Sequence, residues 1–285
     1  RSVGAFVTVR DEAGLLRMWY CCKDRAGRLF MAYAESRDGI LWEKPPLGLF
    51  DYNGGRDNNI VLEHFWEGTP FQDPHAATPD EKYVYLGHGH EKGFYRFTSP
   101  DGLRWKQDAQ PLLPFRVDTH DVAFWDDRLG RYVLYLRGWR VPGGWDERMR
   151  KVVRLTLDTL ARPAAIQPSG KGNNPRNPKD LPRIVDEATT VMTTDRHDPK
   201  NTDVYNGAVQ PYPPDPGWYV GFPSFFRREN LVDGRLEVQF TGSRDGITWH
   251  RYDHAAYVPP GLAGSDSSNR TYLGVGLVVR GDALW

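Results

Sequence analysis

The chain has 285 residues, with 37 Lys and Arg against 37 Asp and Glu, so its formal net charge at neutral pH is zero. A balanced chain without a basic run gives no electrostatic attraction to nucleic acid or an anionic membrane, and no apolar run approaches the length of a membrane span. Aromatic residues make up 13% of the chain, including 10 Trp, which indicates a large core with aromatic surface left for stacking on sugars.

In chain order, the sequence repeats a unit made of a strand, a polar turn and an aromatic-rich strand. Three clear copies and two looser ones start near Gly4, Gln72, Asp121, Val209 and Tyr272. Third and fourth strands, such as Leu29 to Ala34, lie between the copies. Four antiparallel strands per unit, repeated around an axis, are typical of a β-propeller.

A second repeat, Ser-x-Asp-Gly-x-x-Trp, occurs at residues 36–42, 99–105 and 243–249. Its tryptophans are 63 and then 144 residues apart, close to one and two units of a common period. Asp-Gly predicts a tight turn whose backbone the serine can bond, with the tryptophan starting the next strand. The acids inside the repeat, Asp38, Asp101 and Asp245, are therefore turn residues.

Together the repeats predict an all-β fold: one five-bladed β-propeller of four-stranded antiparallel blades over residues 1–285, with blades starting near 3, 71, 121, 204 and 272. A two-sheet sandwich with many hairpins is the alternative, and the period favours the propeller. Residues 165–203 form a long connection rich in turn-forming residues. Because Arg1 lies almost inside a strand and Trp285 inside a hairpin, we expect a chain trimmed at both ends.

The two cysteines, Cys21 and Cys22, are adjacent in a predicted strand. A disulfide between neighbouring residues is strained, so we expect two free thiols. Unpaired thiols favour a reducing compartment such as the cytoplasm, and nothing else in the sequence bears on location.

Acids occur at the predicted starts of the blades, where the first strands of a propeller open onto one end of the central channel. These acids are Asp73 in the second blade, Asp118 and Asp121 in the third, and Asp203 in the fourth. Carboxylates brought together can supply a general acid beside a base, as glycosidic cleavage requires. Two alternatives stay open: Asp73 and Asp203 can simply cap turns, and strand alternation lets only one of Asp118 and Asp121 face the channel.

Other polar residues near the blade starts or after blade strands are candidates for binding sugar hydroxyls or a carboxylate: His75, His120, Arg137, Asn206 and Arg227. No tight spacing of metal ligands is present, so we predict no metal cofactor, while a divalent ion held in the channel by His75, His120 and Asp73 is left open. A glycine-rich phosphate loop and a Gly-x-Ser-x-Gly elbow are both absent from the sequence.

The run Phe71-Gln72-Asp73-Pro74 and the strand that follows it are similar to the Arg-Asp-Pro blade of the five-bladed propeller glycoside hydrolases, the fructosidase and arabinanase superfamily. With its repeats, the chain also resembles uncharacterised bacterial propellers described only as hydrolase-like. The resemblance implies that Asp73 stabilises the transition state through sugar hydroxyls and that Asp118 or Asp121 is the general acid.

The chain departs from that family at three places. Gln72 stands where the family has arginine, the first blade starts at residues 1–5 without a carboxylate, and no glutamate begins the third blade. Sialidase repeats look similar but carry one more residue between Asp and Gly. The sequence thus predicts a glycoside hydrolase with a carbohydrate substrate, and the missing carboxylate favours the alternative, a non-catalytic glycan-binding or scaffolding propeller.

Overall fold

A computed structural model describes residues 2–63, 68–88, 93–115, 117–118, 120–140, 148–166, 188–229, 233–265 and 268–285, with the backbone alone for residues 2–5. These residues form twenty β-strands and one 3-10 turn at Pro79–Glu81, and they include no α-helix. The predicted all-β class is confirmed. No helix in these ranges has the length and apolar character needed to cross a membrane.

Three sheets have four antiparallel strands each, paired in chain order. The first sheet contains β1 (Ser2–Glu12), β2 (Leu15–Lys23), β3 (Leu29–Ser36) and β4 (Ile60–Glu63). The second contains β5 (Phe71–Gln72), β6 (Tyr83–His88), β7 (Phe94–Ser99) and β8 (Lys106–Gln107). The third contains β9 (Val122–Asp126), β10 (Arg131–Arg140), β11 (Met149–Leu157) and β12 (Thr189–Met192).

The fourth sheet is interrupted across its middle. Its strands are β13 (Thr202–Asn206), β14 (Val209–Pro211), β15 (Tyr219–Gly221), β16 (Ser224–Arg228), β17 (Gly234–Val238) and β18 (Thr241–Ser243). Tyr219 pairs with Ser243, and Ser224 pairs with Val238. The step from residue 219 to 224 along one side of the sheet therefore equals the step from residue 243 to 238 along the antiparallel side. Because the register is unbroken, the two three-stranded parts are one sheet. Bridges from Val258 and His250 occupy the fourth strand position.

The C-terminal segment closes against the first strand of the chain. The amide of Val275 donates to Val7 and its carbonyl accepts from Val9, both at 3.0 Å, in a parallel arrangement with β1. Side chains at Gly274 and Gly276 would collide with the carbonyl oxygens of β1, so this approach requires glycine. Within the described residues the last predicted blade has two strands, β19 (Val279–Arg280) and β20 (Ala283–Leu284), where four were predicted.

The second and third sheets each bury both of their faces against the neighbouring sheets. On β6, Tyr83 and Tyr85 pack into a cluster with the first sheet, while Val84 and Leu86 pack into a cluster with the third. A further cluster joins the third sheet to the fourth. Alternate residues of one strand therefore serve two cores, as expected where sheets are stacked side by side.

Five chain segments line a cavity of about 400 Å³, which we call the channel: one segment comes from each sheet and one from the C-terminal segment. They are residues 8–11, 69–71, 122–124, 209–213 and 275–279. Thr8 bridges Val275 and Gly68 bridges Asp121 in parallel, so neighbouring segments run in the same direction. The starts of these segments consequently meet at one end of the channel and their ends meet at the other.

The Ser-x-Asp-Gly-x-x-Trp repeats form the predicted turns. In the first, the Ser36 hydroxyl accepts the amide of Gly39, and the Asp38 carboxylate accepts the amides of Ile40 and Leu41 at 2.8 Å each. The turn carbonyls also bond the preceding sheet: the Trp19 indole donates to Gly102 at 2.7 Å, and the Tyr135 hydroxyl donates to Gly246 at 2.8 Å. The repeat therefore links neighbouring sheets as well as turning the chain.

Both cysteines lie in β2 and neither forms a disulfide, with Cys21 buried and Cys22 partly buried. The predicted pair of free thiols is confirmed. The long connection predicted at residues 165–203 is interrupted: residues 167–187 lie outside the described ranges, and Thr189–Met192 form β12, the fourth strand of the third sheet.

Candidate functional site

One end of the channel is marked by a chain of aromatic rings from different sheets. The ring of Phe6 lies 5.0 Å from that of His120 and 5.7 Å from that of Tyr272, whose ring is 5.5 Å from Tyr205. These residues stand at or just before the starts of the inner segments, which run in the same direction around the channel. We call this end the mouth.

Asp118 and Arg137 form an ion pair at the mouth. The Arg137 guanidinium lies 3.4 Å from the Asp118 carboxylate, and the arginine side chain is 1% exposed against 23% for the aspartate. The same guanidinium lies 4.3 Å from the centre of the Tyr205 ring. A charge that is buried this deeply needs such partners, because moving an unpaired guanidinium out of water costs on the order of 5 kcal/mol or more.

Asp203 is the second carboxylate of the mouth and is wholly buried. Its Oδ2 accepts from the Arg150 side chain at 3.1 Å and from the Arg150 amide at 3.3 Å, and the Arg228 side chain lies 3.7 Å away. Its Oδ1 has no hydrogen bond among the described residues. Two strands of different sheets, β11 and β16, thus direct arginines at one acid of β13.

Strand alternation explains why these groups share a face. On β10, Arg137 and Trp139 are two residues apart and point to the same side, and Trp139 pairs directly with Arg150 of β11. The Trp139 ring consequently has three guanidinium groups within 6 Å of its centre: Arg137 at 5.8 Å, and Arg148 and Arg150 at 5.4 Å each. Cations beside an aromatic ring are stabilised by its electron-rich face.

The crowding of cations affects their chemistry. Burial lowers the pKa of the Arg150 guanidinium, the neighbouring charge of Arg137 lowers it further, and Asp203 acts in the opposite direction. Opposing carboxylates therefore compensate only part of the cost of holding Arg150 charged.

Arg228, and not the predicted Arg227, is the arginine of β16 at the mouth. Arg227 is exposed and lines a small cavity with Thr202 and Glu237 on the other side of the sheet. Arg227 and Arg228 point to different sides of the sheet, because adjacent residues of a strand face opposite sides.

Three other predicted residues lie at the mouth and are buried: His120, Asp121 and Asn206. Burial lowers the pKa of His120 to about 4, and neither ring nitrogen has a hydrogen bond among the described residues. Asn206 accepts the amide of Ser224 where the fourth sheet is interrupted. Asp121 joins the second sheet through its backbone, which bridges Gly68.

Asp73 and His75 lie elsewhere, because β5 ends at Gln72 and Asp73 begins the turn after it. Asp73 accepts the Tyr132 hydroxyl at 2.7 Å and the His75 amide at 2.9 Å, and the His75 ring packs on Trp125. We expected Asp73 to open a strand at the mouth, and the structure places it directly after β5. The alternative of a turn-capping aspartate describes its contacts.

The separation can be gauged along β10, which carries Tyr132 near its start and Arg137 five residues later. Five residues of strand span about 16 Å at roughly 3.3 Å per residue. Asp73 bonds the first of these residues and Asp118 pairs with the second, so the two acids cannot flank one glycosidic bond. The structure brings together Asp118, His120, Asp121, Arg137, Asp203 and Asn206, and leaves out Asp73, His75 and Arg227.

Sequence reasoning missed Arg150, Arg228, Tyr205 and Tyr272. The pattern Arg137-x-Trp139 facing Arg148-x-Arg150 was a usable signal, because alternate residues on paired strands share a face. The pairing of these two strands was needed to read it.

A three-residue set of metal-ligand types occurs in the described ranges at Asp195, Asp198 and His254. Arg251 already occupies it, with its guanidinium 2.5 Å from Asp195 and 2.8 Å from Asp198. The set is an ion-pair cluster away from the channel. His75, His120 and Asp73 do not meet, so the suggested channel ion does not have these three ligands together.

A cavity of about 810 Å³ lies away from the mouth, between the fourth sheet and the C-terminal segment. Its walls are apolar apart from a few groups such as Asp215 and Gln210, and they include Trp218, Phe222, Phe240, Tyr257, Leu277 and Trp285. With so few ionisable groups, this cavity is a poorer candidate for chemistry than the charged mouth.

No protein-family model matches this chain, and no curated protein matches it. Solved structures do. A thermostable family-43 glycoside hydrolase is 13% identical over 91% of this chain and 74% of its own, with a TM-score of 0.54. An α-L-arabinanase mutant from Cellvibrio cellulosa is 10% identical over 93% and 79%, with a TM-score of 0.52.

A third similar structure is an N-acetylgalactosamine deacetylase from F. plautii in complex with blood group B trisaccharide. It is 14% identical over 99% of this chain and 77% of its own, with a TM-score of 0.56. The chain shares the β-propeller fold of the glycoside hydrolases, as the sequence resemblance implied. At these identities the likeness concerns the fold and assigns no role to any residue.

Proposed function

We propose that the chain is one five-bladed propeller domain and a carbohydrate-active protein that hydrolyses a glycosidic bond at the mouth of its channel. The observation that carries the proposal is the arrangement of Asp118 and Asp203 around Tyr205, each held by an arginine that also contacts the tyrosine ring. Sugar binding and glycoside cleavage use carboxylates, guanidinium groups and aromatic rings that lie close together.

The mouth residues divide by exposure. Asp118 is the more accessible acid and acts directly on the glycosidic bond, with Asp121 beside it at the start of the third sheet. Asp203, wholly buried, holds Arg150 and Arg228 in position as a negatively charged partner. The half-buried rings of Tyr205 and Tyr272 stack on the apolar face of the sugar. His120, Arg137 and Asn206 complete the wall.

The similar solved structures support this function at the level of the class. Two of them are described as a family-43 glycoside hydrolase and an α-L-arabinanase, and a third was solved with a bound trisaccharide. The proposed substrate is accordingly a saccharide. The stereochemistry of cleavage depends on the separation of the two carboxylates, which ranges from about 5 to 9.5 Å in known enzymes.

A non-catalytic glycan-binding propeller is the second candidate. The burial of Asp203 and its contact with two arginines favour it, because an enclosed, ion-paired carboxylate is poorly placed to exchange a proton with a substrate.

Hydrolysis assays decide between the two. The protein is incubated with a panel of aryl glycosides and of oligosaccharides, and released sugar is measured alongside binding to a glycan array. Turnover that Asp118→Asn abolishes supports the enzyme, and binding without turnover supports the binding protein. Absence of both contradicts the proposal.

A further inference from the structure

Cations exceed carboxylates at the mouth. Arg137, Arg150 and Arg228 lie around two acids, Asp118 and Asp203, and all five side chains are at least three-quarters buried. Two more arginines stand at the edge of the same group, Arg148 against Trp139 and Arg270 against Phe226. With the buried Asp121 counted as a third acid, the described residues of the mouth include five arginines and three aspartates, so positive charge predominates there in a chain whose net charge is zero.

The guanidinium groups beside Asp203 are only partly satisfied. Arg150 and Arg228 share the single oxygen Oδ2 of Asp203, one at 3.1 Å and the other at 3.7 Å. The Nε atoms of both are buried and donate no hydrogen bond within the described ranges. Buried donors without acceptors are costly, so an additional anion at this point would be stabilised.

The two arginines are also arranged to receive an anion. They come from β11 and β16, on different sheets, and each side chain is 14% exposed. A guanidinium presents parallel N–H groups that match the two oxygens of a carboxylate or sulfate, and in a site of low polarity such hydrogen bonds are strong. The Tyr205 ring, whose centre is 5.0 Å from the Arg150 guanidinium, adjoins this point and supplies a surface for a sugar ring.

We propose that the saccharide bound at the mouth is acidic, with an oxyanion held by Arg150 and Arg228 and its ring against Tyr205. The oxyanion is a ring carboxylate, as in a uronic acid, or a sulfate ester. This inference rests on the proposed function and adds the chemical class of the sugar, which neither the sequence repeats nor the similar structures indicate.

The test compares sugars that differ in one group. Isothermal titration of the full chain uses methyl glucoside against methyl glucuronide, methyl galactoside against methyl galacturonide, and galactose 6-sulfate. Sodium acetate and sodium sulfate are titrated separately as anions without a sugar. We expect the matching acidic sugar to bind at least about tenfold more tightly than its neutral counterpart, the worth of one charge-assisted hydrogen bond pair. The uronides and the sulfate distinguish the two oxyanions.

Variants locate the preference. Arg228→Gln should remove most of the difference in affinity between acidic and neutral sugars. Arg228→Lys keeps the charge but not the paired N–H groups of the guanidinium, so it should retain part of this difference. The control is Arg235→Gln, on the exposed side of the neighbouring strand β17, which should leave the preference unchanged. Melting curves check that each variant is folded.

The outcomes separate this inference from the proposed function. Equal affinity for neutral and acidic sugars, or an acidic preference that survives Arg228→Gln in a folded protein, overturns the inference and leaves a carbohydrate site intact. If acetate or sulfate binds but none of the saccharides does, the inference is overturned and the result also counts against the proposed function. Absence of any binding or turnover across the panel contradicts both.

Discussion

Tyr132 donates a hydrogen bond of 2.7 Å to Asp73 and thereby joins the third sheet to the second at the channel end opposite the mouth. The same contact occurs between other neighbours: Tyr83 of the second sheet donates to Glu12 of the first at 2.6 Å, and Tyr219 of the fourth donates to Asp126 of the third. In each pair the acid ends an inner strand or follows it, and the tyrosine lies near the start of the next sheet's second strand. The acids therefore hold consecutive sheets together.

This relationship predicts that Asp73 matters for stability rather than turnover. Tyr132→Phe keeps the ring on Trp125, 4.9 Å away, but removes the donor, and it should lower the free energy of unfolding by about 1.5 to 3 kcal/mol, the range for a hydrogen bond to a charged group. Asp73→Asn should have a smaller effect of the same sign. Urea denaturation measures both.

Tyr252→Phe, at an exposed tyrosine, is the control and should change stability by no more than about 0.5 kcal/mol. A folded Asp73→Asn protein that loses turnover without losing stability would contradict the linking role.

The case of Asp73 shows what the sequence could not supply. The run Phe71-Gln72-Asp73-Pro74 correctly indicates a strand beside a turn, but a turn signal reads the same at either end of a short strand. The direction of this part of the chain is shown by the parallel bridge between Gly68, just before the strand, and Asp121. This bridge is a contact between two sheets. Strand period and turn chemistry are local properties, whereas the direction of a strand along the channel is not.

The mouth also combines residues whose positions the sequence indicates with residues whose positions it does not. Asp118 and Asp203 could be predicted because they stand at strand starts, which turn signals mark. Arg228 could not be separated from Arg227 without knowing which face of β16 points inward. Arg150 required the pairing of β10 with β11, whose connecting residues give no register in the sequence.

The glycine of the repeated turn supports a second prediction. Gly246 has φ of 69°, and a Cβ there would lie 2.6 Å from the Tyr135 hydroxyl, which donates to the Gly246 carbonyl. Gly246→Ala should therefore cost the left-handed backbone strain of about 1 to 2 kcal/mol together with the loss of this hydrogen bond, about 1 kcal/mol.

Gly130→Ala is the matched control, since Gly130 has φ of 61° but nothing within 4 Å of its would-be Cβ. Thermal and urea unfolding of the two variants should differ by the cost of the clash and the lost bond. Equal destabilisation would show that the contact between the sheets contributes nothing.

His120 gives a prediction about pH. Burial lowers its pKa to about 4 from 6.5, so between these values the unfolded chain binds a proton that the folded chain does not. The stability linked to His120 is therefore complete above about pH 6.5 and is lost as the pH falls towards 4, by up to about 3 kcal/mol. His120→Phe, which keeps an aromatic ring against Phe6, should flatten this part of the pH profile of unfolding free energy. Parallel profiles for the two proteins would mean that folding does not lower the pKa of His120.

The two acids of the mouth should respond differently to the same change. Asp203 is wholly buried between Arg150 and Arg228, so Asp203→Asn leaves cations uncompensated and should cost about 3 to 5 kcal/mol of folding free energy. Asp118 is 23% exposed and pairs at 3.4 Å with the buried Arg137, and asparagine keeps an oxygen that can accept from this guanidinium, so Asp118→Asn should cost less, about 1 to 3 kcal/mol. If Asp118 acts on the glycosidic bond, its variant should nevertheless lose turnover by about 10²-fold or more.

Unfolding curves and hydrolysis rates are measured on both variants. Unchanged turnover in a folded Asp118→Asn protein would remove Asp118 from the catalytic site, and an unaffected stability in Asp203→Asn would show that its arginines have other partners.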